Sequence, residues 1–273
     1  METISFLSGN LRGWATAEQD GENAWESRAP LYAALLRERL PNLIGFQEFH
    51  AHNLRDLQPA LPFHAYSLGR ESDSKSYVPV FWDSRRFEPV DQGAFWLNKW
   101  QDRKALGWDA NNERSMTWVE LADNEDGCRL LFINTHLDHV GEIARTRGAQ
   151  LILDFLEDWP PELPVIITGD FNASPYHPRR QVPYNARTFG LFAEAGFMDA
   201  FRCATGIWPP PATFHNYEGD AYRPDQFGTW YIDWPLVRNL RVVSAQVVRH
   251  HQGEKPLSDH YPVHAVVTYT NAS

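Results

Sequence analysis

The run Pro164-Val165-Ile166-Ile167-Thr168 is nearly all apolar, and Gly169-Asp170-Phe171-Asn172 follows it at once. A strand without polar alternation has both faces covered, so it belongs to a sheet enclosed between layers. Just upstream, Glu142 to Trp159 is the longest helical pattern, with Leu151, Phe155 and Trp159 on one stripe and Pro160-Pro161 as its stop. A helix leading into a buried strand points to an α/β layout.

The rest of the chain keeps that alternation. Thr3 to Ser8 reads as a half-buried strand of period two. Ser27 to Leu40 reads as a helix capped by Ser27 and ended by Pro41. Leu43–Phe46 and Tyr77–Trp82 read as strands, with a turn at 83–86. Met116–Leu121 and Leu130–Asn134 read as antiparallel neighbours joined by the polar turn 123–127. Asn185–Ala195 reads as a helix with Gly196 just beyond it. Trp230–Val237, Val242–Val248 and Pro262–Tyr269 are predicted as late strands. Two stretches, Asn98–Arg114 and Gly206–Thr229, are long, polar and aromatic, as functional loops often are. No linker, repeat or low-complexity tract interrupts the 273 residues, so 1–273 reads as a single domain.

Composition narrows the function. With 25 Lys and Arg against 35 Asp and Glu, the formal charge is −10, and no cluster of basic residues offers a stripe for nucleic acid. No apolar run approaches the ~20 residues of a membrane span. Met1-Glu2-Thr3 leads into the first strand without a basic segment and long apolar core, so a cytoplasmic protein with two reduced thiols, Cys128 and Cys203, is expected.

The residues able to do chemistry sit at strand ends: Asn10, Gln47-Glu48, Asn134-Thr135-His136, Asp170 with Asn172, and Ser258-Asp259-His260. Side chains at strand ends of an open α/β sheet converge on one rim. Asp233, between Ile232 and Trp234, is a carboxylate in apolar company and needs a partner. Asn, Glu and Asp are hard oxygen donors suited to Mg²⁺ or Mn²⁺. Histidines beside them can donate to a phosphate or protonate a leaving oxygen, which completes the inventory for metal-assisted phosphoester hydrolysis.

Taken in order, Asn10, Gln47-Glu48, Asn134-Thr135-His136, Gly169-Asp170-Phe171-Asn172, Ile232-Asp233 and Ser258-Asp259-His260 resemble the endonuclease/exonuclease/phosphatase superfamily from Ser8 to Pro262. The Asn-Thr-His-Leu-Asp-His run at 134–139, with Gly141, Ala144-Arg145, Gly107-Trp108-Asp109 and Thr213-Phe214-His215, resembles its bacterial and fungal metal-dependent hydrolase branch. The resemblance implies an α/β fold (α+β by some schemes), the DNase I-like four-layer sandwich. In it two mixed β-sheets pack face to face with helices outside.

It also implies roles. Glu48 is the main metal ligand, with Asn10 and Asp259 near the same ion or its waters. Asp170 orients or deprotonates the attacking water, and Asn172 holds a phosphate oxygen and the surroundings of Asp170. His260, paired with Asp233, faces the phosphate; His136 donates to a phosphate oxygen or the leaving group; Arg114 binds phosphate. One position departs from the family pattern: Ser76 stands where a Glu supports an active-site histidine, and Glu71 or Asp73 are the loop candidates to replace it. The aromatic loops, carrying Trp108 with Arg114 and Phe214 and His215 with Arg223, are expected to form the substrate-binding rim. The expectation is therefore a Mg²⁺- or Mn²⁺-dependent phosphodiesterase acting on a small or sugar-like phosphorylated substrate. A DNA or RNA nuclease is the alternative, and a catalytically silent binding module of the same fold the second. No membrane and no obligate protein partner are expected.

Overall fold

Strand β1 (Ile4–Asn10) is buried along nearly its whole length, on both faces, rather than on one. Its serines mislead the sequence reading because each has a partner: Ser5 N and Oγ both donate to Asn42 Oδ1, and Ser8 Oγ accepts from Gln47 Nε2. The computed structural model describes residues 2–175, 186–222, 230–249, 251–252 and 255–270. In chain order, β1 is followed by α1 (Ala17–Asp20), α2 (Trp25–Arg39), β2 (Leu43–Gln47), α3 (Ala51–Leu57), β3 (His64–Ser67), β4 (Val80–Asp83), β5 (Phe87–Trp96), β6 (Ser115–Asp123) and β7 (Arg129–His136). Then come α4 (Glu142–Leu156), β8 (Val165–Asp170), α5 (Ala186–Glu194), β9 (Met198–Asp199), α6 (Ala200–Thr205), β10 (Leu236–Arg238) and β11 (Leu240–Val247). The short pair β12 (His251–Gln252) and β13 (Lys255–Pro256) precedes β14 (Val263–Tyr269).

The strands form two six-stranded sheets, ordered β11-β14-β1-β2-β4-β3 and β5-β6-β7-β8-β10-β9. Each is mixed: β1–β2 and β7–β8 are parallel, and their other pairings are antiparallel. The sheets face each other across Phe6, Leu43, Val80, Val119, Phe132 and Ile166. Tyr32, Leu35 and Leu36 of α2 cover the outer face of the first sheet through Leu7, Ile44 and Phe81. Ala149, Ile152 and Leu156 of α4, with Phe192 of α5, cover Leu131, Ile133, Val165 and Ile167 of the second. This is the four-layer sandwich. Strand β8 is buried on both faces, Ile166 toward the other sheet and Val165 and Ile167 toward the helices.

Several element boundaries differ from expectation. Helix α2 starts at Trp25 with Ala24 at its N-cap, so Ser27 lies in the first turn and does not cap it. The indole of Trp25 is buried and its Nε1 donates to Asp56 Oδ2 (2.9 Å), which draws the helix start two residues earlier. The strand predicted over 230–237 joins the ladder only from Leu236, because Pro235 has no N–H to donate. Ahead of it, Trp234 turns to stack on Phe171 with centroids 4.3 Å apart, and Asp233 makes one isolated bridge to Asp170. Strands β3 and β5 at the sheet edges were not readable from the sequence, since their burial is partial and irregular.

Between the sheets one polar contact centres on Asn134. Asn134 Nδ2 donates to the carbonyls of Phe46 (2.6 Å) and Pro79 (2.8 Å). Its Oδ1 accepts from Gln47 Nε2 (2.7 Å) and Thr168 Oγ1 (3.1 Å). Both amide hydrogens and both acceptor positions are thus used, and all five residues are buried or turn a buried carbonyl inward. The sheets approach so closely here that a Cβ on Gly45 would lie 2.1 Å from Thr168 Oγ1.

Removing the Asn134 amide takes a partner from two carbonyls, an amide and a hydroxyl inside the sandwich, of which Gln47 Nε2, Thr168 Oγ1 and the Pro79 carbonyl keep longer contacts elsewhere. At ~1–3 kcal/mol for a lost buried partner, Asn134→Ala is expected to lower unfolding stability by ~2 kcal/mol or more. Urea denaturation of both proteins checks this; an unchanged midpoint would show that the network is incidental.

Candidate active site

Parallel β1 and β2, and parallel β7 and β8, bring the ends of four strands to one rim, and the antiparallel β6, β10 and β14 start there. A cavity of about 570 Å³ opens at that rim. It is lined by Glu48, Arg114, His136, Asp170, Asn172, Phe214, Asp259 and His260 of the predicted set. Asn10 lies directly beneath, buried, donating from Nδ2 to Glu48 Oε1 (3.1 Å) and to Asp170 Oδ2 (3.0 Å).

Two of these residues adopt left-handed backbone, Glu48 at φ 51° and Asn172 at φ 48°. For Asn this is tolerated; for Glu it is uncommon and costs energy that the surroundings must supply. At Glu48 the turn aims the carboxylate at Asn10 and at Trp14, whose Nε1 donates to Oε2 at 2.6 Å.

Asp170, Asp233 and His260 form the centre. His260 Nδ1 donates to Asp233 Oδ2 at 2.9 Å, and His260 Nε2 lies 3.8 Å from Asp170 Oδ2. One ligand atom from each lies within 4.8 Å of the others, the one such His/Cys/Asp/Glu group among the described residues. Burial and the neighbouring Asp233 push the Asp170 carboxyl up to about 7. Burial opposes the charged form of His260, but Asp233, Asp170 and Asp259 outweigh it and push the ring up to about 10. The trio therefore supplies its own cation, and the ring is held as a donor at Nε2.

His136 behaves oppositely. Burial, then Arg114, His260 and His139, holds it well below the ordinary histidine range. Asn172 Nδ2 donates to His136 Nε2 (3.0 Å) and to the Leu137 carbonyl (3.0 Å), while Asn172 N donates to Asp170 Oδ1 (3.0 Å). Both amide hydrogens of Asn172 are thus spent inside the protein, so its side chain positions His136 and its backbone positions Asp170. His136 Nε2 is an acceptor in this arrangement, not the donor that the resemblance implies.

Arg114 enters the cavity 3.6 Å from Asp138 Oδ2 and 3.3 Å from His139 Nδ1. Asp138 is anchored in turn by the backbone N–H groups of Asn111, Asn112, Val140 and Gly141. Phe214 packs edge-on against His260, centroids 4.9 Å apart. Trp108 is half-buried and does not reach the cavity; its neighbour Asp109 accepts from the N–H groups of Ile143 and Ala144 at the start of α4. His215 is buried behind the rim, stacked on Tyr261 at 3.9 Å. Arg223 lies outside the described residues. Neither proposed replacement for the missing Glu reaches His136. Asp73 pairs with Lys104 and Glu71 with Lys75, both on the outside.

The sequence reading missed Arg12 and Trp14, which line the cavity two and four residues beyond Asn10. Arg12 pairs with Asp20 through Nε and Nη2 and with Asp259 through Nη1 (3.2 Å), its guanidinium over the Trp14 ring. Their position just past a strand end was the available signal. His139, which ends the 134–139 run, also lines the cavity, as do Glu113 and Trp230, which no local pattern marked.

The two histidines should be separable in solution. In metal-free protein His260 is expected to remain an imidazolium at pH 8 and His136 to remain neutral at pH 6. The His260–Asp233 pair then stabilises the fold fully below the ordinary histidine value of about 6.5, and that contribution fades as pH rises through about 10. Nitrogen-15 NMR of the ring nitrogens measures both, and Asp233→Asn should lower the His260 titration. A His260 that titrates below pH 7 contradicts the arrangement.

The Endonuclease/Exonuclease/phosphatase family profile matches residues 22–260. Among solved structures, an endonuclease/exonuclease/phosphatase family protein from Bacteroides thetaiotaomicron is similar at 25% identity, with 99% of each chain covered and a TM-score of 0.84. A mannosyl-6-phosphatase from the same species is similar at 26% identity, covering 97% of this chain and 100% of that one, with a TM-score of 0.82. The human nocturnin catalytic domain with bound sulfate shares the fold at 20% identity and a TM-score of 0.74, with 98% and 94% covered. No curated protein matches the chain.

Proposed function

We propose, from the premise that the chain belongs to the endonuclease/exonuclease/phosphatase family, that it hydrolyses the phosphoester of a small, sugar-like molecule with a divalent cation, Mg²⁺ or Mn²⁺. That it is a phosphoester hydrolase follows from the family; the substrate is our reading. One observation carries it: Asp170, the Asp233–His260 pair and the oxygens of Glu48 and Asp259 converge in a single cavity. The similarity to a mannosyl-6-phosphatase supports a sugar-like leaving group. The charge of −10 supports a small substrate over a nucleic acid.

The donors suit a hard cation. Glu48 and Asp259 offer carboxylate oxygens at the cavity wall, and Asp233 Oδ1 is a buried oxygen with no hydrogen-bond partner. Glu48 is assigned as principal ligand, with Asp259 beside it and Asn10 holding Glu48 in place. When bound, the cation neutralises charge on the phosphoryl oxygens. The protein's own groups do the rest. Asp170, steadied by Asn10 Nδ2 and Asn172 N, accepts the proton of the attacking water. His260, held charged by Asp233, donates from Nε2 to the phosphate as negative charge builds on it. Arg114 and Arg12 flank the site as further cations for phosphate oxygens.

A panel of phosphomonoesters, phosphodiesters, cyclic phosphates and nucleic acids, with Mg²⁺, Mn²⁺ and EDTA, tests the reading. It separates the diester expected from the sequence from the monoester chemistry of the Bacteroides relative. Turnover is expected to stop in excess EDTA and return on adding metal, and Glu48→Gln should raise the metal concentration needed. Full activity in EDTA would refute the metal assignment.

Asp170→Asn and His260→Ala are each expected to lower kcat by at least ~10²-fold, the scale for losing a general base or a transition-state donor. Substrate binding should change less. Steady-state kinetics decide this; rates within a few-fold of the unmodified protein would place the chemistry elsewhere.

A further inference from the structure

The cavity has two chemically different walls, and the sheet order explains why. Across the sandwich β1 faces β8, β2 faces β7 and β4 faces β6. Glu48 and His136, on the floor, belong to the middle pair. On the β4 and β6 side, the lining residues include Ser74 and Ser76 ahead of β4 and Asn112, Glu113 and Arg114 ahead of β6. On the β1, β8 and β14 side, they include Phe214, bridged to His260, and Trp230, whose ring lies 5.8 Å from that of Phe214. One wall carries hydroxyls, an amide and a carboxylate beside the Arg114 guanidinium; the other carries the rings of Phe214 and Trp230 beside His260.

The polar wall is built in advance of any ligand. The Oγ atoms of Ser72, Ser74 and Ser76 close a triangle with sides of 2.8, 2.9 and 3.2 Å. Ser76 N donates to Ser72 Oγ (3.2 Å), and the Asp73 N–H reaches Glu113 Oε2 (3.4 Å), tying the serine loop to the β6 side. Glu113 forms no ion pair among the described residues, so its carboxylate can accept hydrogen bonds from the cavity.

We propose, resting on the sugar-like reading above, that Glu113, Ser74 and Ser76 form a specificity subsite for the hydroxyls of an uncharged sugar leaving group whose apolar face lies toward Phe214. A carboxylate accepts two neighbouring hydroxyls, a serine both accepts and donates, and an aromatic ring covers carbon-bound hydrogens.

The test compares a hexose 6-phosphate with p-nitrophenyl phosphate, which has no sugar hydroxyls. Glu113→Gln and Ser76→Ala are each expected to lower kcat/KM for the hexose phosphate by about tenfold or more, chiefly through KM, and to leave the aryl substrate within about twofold. Free hexose should inhibit aryl phosphate turnover, and about tenfold less well in the variants. Equal losses on both substrates, or a hexose phosphate rate that does not change, would overturn the subsite. If the unmodified protein hydrolyses hexose phosphate while the variants match it, only the subsite fails. If it turns over other phosphoesters but no sugar phosphate, the sugar-like reading fails and the subsite with it.

Discussion

A buried amide at the middle of the sandwich ties the two sheets together in register. Asn134 takes carbonyls from the first sheet with its nitrogen, and Gln47 and Thr168, one from each sheet, with its oxygen. Apolar faces can slide over one another at little cost, because dispersion and the hydrophobic effect are not directional. A fully satisfied polar contact between them has one geometry, and any slip strands a buried donor. Glu48 follows Gln47 directly, His136 lies two residues beyond Asn134, and Asp170 lies two beyond Thr168. The network that aligns the sheets therefore also aligns the ends from which the site is made.

At those ends the chemistry rests on two histidines with opposite charge states, each within 4 Å of the same Asp170 oxygen. His260 is surrounded by Asp233, Asp170 and Asp259, which favour its charged form more than burial disfavours it. His136 lies 3.5 Å from Asp170, but burial together with Arg114, His260 and His139 keeps it neutral. Asp170 sits between them, raised to about 7 by burial and by Asp233. Groups whose surroundings push their proton affinities apart can divide base and donor roles within one site. Asn10 and Asn172 complete the division by donating to Asp170 from two directions.

The polar and aromatic walls arise from the same topology. Segments entering β4 and β6 approach the rim from one side, and those entering β14 and following β1 from the other. Composition can then differ between the walls without disturbing the floor. This explains why the departure at Ser76 leaves the centre intact. The serine belongs to the wall, where it closes a hydroxyl triangle, while His136 is positioned by Asn172 from β8.

Much of the fold and site was legible in the chain because it is written in local pattern. The apolar run at 165–168, the helical stripe at 142–156 and the polar residues just past strand ends follow from periodicity. The ordered series from Asn10 to His260 carries the family. These are properties of a residue and its near neighbours, and the structure keeps them. What only the tertiary structure decided depends on which distant segments meet. Ser5 and Ser8 read as solvent-facing until Asn42 and Gln47 supply partners. Trp108 and Phe214 look alike in their loops, yet one stays outside the cavity and the other meets His260. Glu113 carries no sequence mark, since its place in the cavity comes from the packing of two sheets. The charge on His260 likewise depends on carboxylates from 170, 233 and 259, brought together only by folding. Hydrophobic periodicity is local and survives in the sequence, whereas electrostatic environment is a sum over space and exists only once the chain is folded.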